Sequence, residues 1–276
     1  MTEAAMDGVI LTLLERPETA PGLLVAAGHL ATLMGGAGVA ALVVRTPPEA
    51  TILPSEEVLT AEHAARIRSA EQRRAVSLRV AFDRWAARPR AEDAWTTFET
   101  AEGVVGEVLR ERGRRADALV LERPSEGGGL LARQDVHTAL MDTGRPVLVV
   151  PPGHEAPFGR RMAIAWRDDP QATRAVLSAL RLRAPERILV LAGQREGAPR
   201  PVMPDILREH GAVAELHVLP VGQGAFGEAL LARAHALGAD LLVMGAYQHS
   251  PLREFILGGV TRFMLAHADL PLLMRH

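Results

Sequence analysis

The residues best placed to do chemistry in this chain are glycines rather than acids or bases. Near the C-terminus the sequence runs Gly245-Ala246-Tyr247-Gln248 and, further on, Gly258-Gly259-Val260-Thr261. The apolar run Leu241–Met244 precedes this loop, and an apolar-periodic stretch around Val260–Ala268 follows it, so the loop joins a strand to a helix. Glycine lets a backbone approach a ligand closely and adopt positive φ. The first amides of the following helix then point at an anion, and the helix dipole favours its charge. Gly245, Gly258 and Gly259 stand where such a cradle needs them. The amides of Val260 and Thr261 and the Thr261 hydroxyl would add donors. Binding of phosphate is the chemistry this predicts, not bond making.

Other patterns compete less well. Gly222–Gly227 is a literal G-x-G-x-x-G after the strand-like Ala214–Leu219, but the next strand ends in Gly245-Ala246. No acid stands there to take ribose hydroxyls, so the segment reads as a β-to-α turn rather than a dinucleotide loop. Ten His residues occur without H-E-x-x-H or any paired ligand spacing; His249 and His267, which flank the glycine loop, read as surface or capping residues. No G-x-S-x-G elbow is present. The chain has no Lys, which excludes a G-x-x-x-x-G-K-[ST] loop and Schiff-base chemistry, and no Cys, which excludes thiolate nucleophiles and disulfides. The Arg-only basic set reflects coding bias first and anion contacts second. Arg110–Arg115 is a basic cluster expected to complement a helix C-terminus rather than bind nucleic acid; Arg253 and Arg262 are expected either to face the phosphates or to be solvated.

The elements that must position the loop occur twice. Val9–Leu14 and Met162–Trp166 read as strands, each entering a charged turn with Pro17 or Pro170. Apolar-periodic helices follow, about Gly22–Leu33 and Gln171–Leu182, and then strands Val39–Val44 and Arg187–Leu191. Later, Ala116-Asp117 and Ala239-Asp240 introduce the strands ending at Leu121 and Met244, and Pro146 and Pro271 introduce Val147–Val150 and Leu272–Met274. This repeated order of strands and helices predicts βαβ units with right-handed crossovers in both halves. The first half adds a long helix, about Ser55–Ala87, and Pro151–Pro157 forms a linker. The predicted fold is α/β, with domains at residues 1–152 and 159–276, each a five-stranded parallel sheet with helices on both faces. A length of 276 residues and 48% hydrophobic content against 4% aromatic content suit two aliphatic cores of this kind. A net charge of -2 predicts no nucleic-acid or membrane partner. The N-terminus resembles no signal peptide, and no apolar run is long enough for a bilayer, so a cytoplasmic location is expected.

The block from Met244 to Thr261, with Ala239-Asp240 before it and Pro271-Leu272-Leu273 after it, resembles the universal stress protein family in its tandem-domain form. The resemblance spans about residues 160–276. It implies tandem flavodoxin-like or Rossmann-like domains of the adenine nucleotide alpha hydrolase-like kind. Nucleotide-binding relatives carry Gly-x2-Gly-x9-Gly-Ser/Thr in this loop, which implies a site formed by Gly245, Gln248, Gly258, Gly259, Val260 and Thr261. Two positions depart from the pattern: Gln248 replaces the second glycine, and Gly259 stands where a hydroxyl is usual. The family's acid at the end of the first strand falls in register on Arg167, beside bulky Trp166, leaving Asp168 to take the role.

By resemblance the ligand is ATP or a related adenine nucleotide, with Mg2+ accompanying it. No general base or metal cluster stands by, so any ATP hydrolysis is expected to be slow and incidental. The alternative is a nucleotide-free module docking onto a protein partner, with the glycine loop a relic; an enzyme of the wider superfamily would need a glycine loop at Arg167–Pro170, where none occurs. The first half, with Glu122 and Glu126 in the equivalent loop, is expected to be a structural partner. The resemblance also implies that Val147–Val150 and Leu270–Met274 pair antiparallel in an intramolecular pseudo-dimer, which leaves room for a homodimer of the whole chain.

Overall fold

In the computed structural model, the described residues are 8–51, 60–89, 95–124, 129–183, 185–222, 226–246 and 259–276. Among them the first half runs β1 (Val9–Leu13), α1 (Ala20–Leu33), β2 (Gly38–Arg45), α2 (Ala61–Ala86), β3 (Thr96–Glu102), α3 (Val105–Gly113), β4 (Ala118–Glu122), α4 (Gly129–Asp142) and β5 (Val147–Val150). The second half repeats the order: β6 (Arg161–Trp166), α5 (Pro170–Ala179), β7 (Arg187–Gln194), α6 (Asp205–Glu209), β8 (Glu215–Pro220), α7 (Phe226–Ala236), β9 (Leu241–Gly245), α8 (Gly259–His267) and β10 (Leu272–Arg275).

The ten described strands form one sheet in the order β3-β2-β1-β4-β5-β10-β9-β6-β7-β8. Every neighbouring pair is parallel except β5 with β10, where Val147, Leu148 and Val149 face Met274, Leu273 and Leu272 in antiparallel register. The pairing expected of the two Pro-initiated strands is therefore present, and it joins the halves into a continuous sheet. Helices cover both faces. Leu30 of α1, Leu78 of α2, Val176 of α5 and Leu207 of α6 pack into one core; Leu109 of α3, Leu140 of α4, Leu230 of α7 and Met264 of α8 pack into the other. Covered on both sides, the central strands are aliphatic along their length, as in β2, where seven successive residues are buried.

The repeated dipeptides have a mechanical role. Asp117, just before β4, accepts a 2.8 Å hydrogen bond from the Val9 amide at the start of β1. Asp240, just before β9, accepts one of the same length from Gly159 and bonds the Arg161 amide that opens β6. In both halves the carboxylate fixes the register of the first strand against the fourth. Pro146 and Pro271 lack an amide but present carbonyls to Leu119 and Leu242, each at 3.0 Å.

The long helix predicted over Ser55–Ala87 is α2, capped by Thr60, whose hydroxyl accepts from the His63 amide at 3.2 Å; residues 52–59 lie outside the described part. No described helix is long and apolar enough to cross a membrane.

Candidate functional site

In a doubly wound sheet, the crevice lies at the carboxyl ends of the two strands where the order reverses. In the second half these strands are β6 and β9, with Ala165 paired to Met244 and Gly245 one residue beyond. A Cβ on Gly245 would lie 2.7 Å from the Ala172 nitrogen and 2.7 Å from the Gln171 carbonyl carbon. Its bare backbone therefore lets the first turn of α5 settle over the end of β9. The opposite wall is the start of α8. Gly259 opens that helix, is exposed, and has no atom of another described residue within 4 Å of the place a Cβ would take. Val260 is half-buried and Thr261 buried as α8 turns inward. The C-terminus closes one end: the Ala246 amide bonds the Arg275 carbonyl at 2.8 Å, and His276 Nδ1 meets the Ala246 carbonyl at 2.9 Å.

The acids after β6 divide their work. Asp169 caps α5, accepting from the Ala172 amide at 2.7 Å, and pairs with Arg167 Nε at 2.6 Å; its side chain is 7% exposed. Asp168 is exposed at the rim. Trp166 packs against the core on the α5 side of the sheet. Gln248, Gly258, His249 and Arg253 lie outside the described residues. His267 stacks on Phe263 with ring centroids 4.4 Å apart and contacts its carbonyl through Nδ1 at 3.0 Å.

The G-x-G-x-x-G segment sits elsewhere. It follows β8, an edge strand, and Gly227 is where Phe263 of α8 packs, 2.9 Å from the position of a Cβ. Gly227 thus serves the contact between α7 and α8. Residues 223–225 lie outside the described part.

The equivalent crevice of the first half, at the ends of β1 and β4, is closed. Strand register places Glu122, opposite Val150, where the second half has Gly245, opposite Arg275. The Glu122 carboxylate takes a two-pronged ion pair from Arg16, at 2.5 and 3.1 Å, and a 2.7 Å bond from the Thr19 hydroxyl ahead of α1. The hydrogen bonding of Arg16 to Glu122, above all, raises the Arg16 pKa. A protein carboxylate thus stands at the start of α1, over the end of β4. Beside it, burial pushes Glu15 above the usual carboxylate range, with further help from Glu122. Asp135 on α4 is buried and pushed up to about 7, first by burial and then by the charge of Glu15. Sequence reading singled out Glu122 but missed Glu15, Arg16, Thr19 and Asp135. An acid adjoining Val136, Ala139 and Leu140 on the apolar stripe of a helix was the available signal for Asp135.

Fold and crevice together define a doubly wound α/β protein with a switch point in each half. Residues 160–276 match the model of the universal stress protein family. Comparison with functionally curated proteins gives no significant match. Among solved structures, the chain resembles a universal stress protein from Archaeoglobus fulgidus DSM 4304, with a TM-score of 0.67 at 14% identity over 97% of this chain and 95% of that one. It also resembles a protein of unknown function from Pseudomonas aeruginosa PAO1, with a TM-score of 0.58 at 15% identity over 98% and 92%. At these identities the likeness is one of fold, and it runs through both halves.

Proposed function

We propose that this chain is a stress-response regulatory protein that binds ATP or a related adenine nucleotide in the crevice of its second half, without catalytic apparatus. In this reading residues 1–152 and 159–276 are two domains of one kind, and only the second keeps a ligand site. The observation carrying the proposal is the contrast between Gly245 and Glu122, which stand at the same register position of β9 and β4. The second half has bare backbone there, while the first half has a carboxylate tied to Arg16 and Thr19. The phosphate end of a nucleotide fits the start of α8, where Gly259, Val260 and Thr261 present the first amides. Mg2+, arriving with the nucleotide, would meet the exposed Asp168. Bound ligand would keep water-exposed phosphates against backbone donors; no described base stands ready to activate water.

A nucleotide-free docking module is the second reading, and one observation favours it. Asp169 is committed to capping α5 and to Arg167, so the nucleoside end of the crevice lacks an acid at the end of β6.

Denaturing the purified full chain and analysing the released small molecules, followed by calorimetric titration of the nucleotide-free protein with ATP, separates the two. Gly259→Asp sharpens the result. Its Cβ meets no atom of another described residue, and an acid at a helix start favours the fold, yet its charge opposes phosphate. Loss of ATP binding with an unchanged thermal midpoint is expected; no released nucleotide and no ATP heat in the unaltered protein would establish the docking module instead.

A further inference from the structure

Outside both crevices, the end of β2 and the first half of α2 enclose a cleft of about 490 Å³ lined by Arg45, Arg68, Arg73, Glu71, Glu102 and Ser69, among others. Its charges do not cancel. Glu71 is engaged by Arg74, through Nη2 at 2.7 Å and Nε at 3.0 Å, and by the Thr46 amide at 3.1 Å. Those contacts hold its pKa down against the opposing effect of burial, so it stays ionised and neutralises Arg74. Glu102 pairs with Arg45 at 3.4 Å. Arg45 also gives an Nη1 hydrogen bond to Gln72 Oε1 at 3.1 Å, while its Nε is buried with no partner among the described residues. Arg68 and Arg73 remain. Both are exposed, and neither has an acidic partner among the described residues. Two guanidiniums without an acidic partner among the described residues thus share one concave wall with Arg45 and the Ser69 hydroxyl.

We infer that this cleft binds a small phosphomonoester dianion, at a site distinct from the crevice of the second half. Two surplus positive charges match the two negative charges of a phosphomonoester above its second pKa of about 6. Planar guanidinium forks suit phosphate oxygens better than any other cation in the repertoire. The volume lies in the range of small-molecule sites, roughly 300–1,000 Å³. A cleft of similar volume lies beside α6, the five-residue counterpart of α2, but its one arginine, Arg208, is paired with Asp205 at 2.7 Å. The long helix of the first half is what builds the wall.

The test is calorimetric titration of the full chain with phenyl phosphate at pH 8 and pH 5, repeated with Arg68→Gln/Arg73→Gln and with Gly259→Asp. Saturable one-to-one binding is expected at pH 8, weaker at pH 5 as the probe loses charge. The double variant should bind at least about tenfold more weakly, with an unchanged thermal midpoint, and Gly259→Asp should bind as the parent does. Absence of saturable binding, or affinity in the double variant within twofold of the parent, would overturn the assignment. Loss of binding in Gly259→Asp would move the probe to the other crevice and equally refute it. Tighter binding of a phosphoserine peptide than of phenyl phosphate would refute the small-molecule class. Because ATP binding is read on separate variants, failure here leaves the nucleotide reading standing, and the reverse.

Discussion

Asp135 shows how one buried acid couples this fold to pH. It lies on the inner side of α4 among apolar neighbours and near Glu15, and burial with that like charge pushes it up to about 7. An unfolded aspartate titrates near about 4, so the native state holds the proton more tightly. Stability contributed by the neutral form is complete at low pH and declines as pH rises from about 4 to 7. Asp135→Asn mimics the protonated acid. It should raise the unfolding free energy at pH 8 by about 2 kcal/mol or more and change it little at pH 4, as urea denaturation at the two pH values would reveal. Equal effects at both would show that Asp135 is ionised or solvated in the native state. Glu15 is raised in the same direction, so the closed crevice of the first half is a place where negative charge is concentrated rather than one that attracts it.

At the scale of elements, the start of α5 is the most informative piece. Its position is set by three contacts: the close approach permitted by Gly245, the Asp169 cap and the Arg167–Asp169 ion pair. The cap satisfies an amide that the helix itself leaves unbonded. Asp169→Ala should cost about 1 kcal/mol, measured by chemical denaturation, because the Ala172 amide loses its acceptor and Pro170 alone cannot replace it. If Asp169 instead contacted ligand in place of capping, the variant would lose ATP affinity with no change in stability. The α8 end is tied from the other half: Arg123 donates to the carbonyls of Leu265 and Ala266, placing a cation at that helix's C-terminus.

The whole molecule is held at the β5–β10 seam. Leu148 and Leu273 face each other there and are buried in a core that also contains residues of α1 and α5. Other ties cross between the halves: Arg275 to the Gly144 carbonyl at 3.4 Å and the Arg183 amide to the Leu33 carbonyl at 2.7 Å, while His29 meets the connecting segment at the Phe158 carbonyl, 2.7 Å away. The seam also covers two strand edges that would otherwise be open to intermolecular pairing. Leu148→Ala should destabilise by about 2–5 kcal/mol. Combined with Leu273→Ala it should be non-additive because the two share one site. Unfolding should remain a single transition followed equally by far-ultraviolet circular dichroism and Trp fluorescence; two separated transitions would show that the halves fold independently.

The sequence alone determined the βαβ order, the α/β class and the partnership of the two Pro-initiated strands, because these follow from local features. Aliphatic runs of strand length, helix-period stripes and the repeated Ala-Asp and Pro bookends each report their own segment. It also singled out Gly259, which opens α8, and Glu122, which the structure ties to Arg16 and Thr19, since glycines and acids are visible as letters. The division of labour between Asp168 and Asp169 depended on tertiary structure, as did the Arg16–Glu122–Thr19 plug, the buried Asp135 and the arginine cleft beside α2. In each case the partners lie far apart along the chain or compete for the same amide. Which carboxylate caps, which pairs and which stays open is decided by how the helices settle on the sheet. Chain order does not encode that outcome locally.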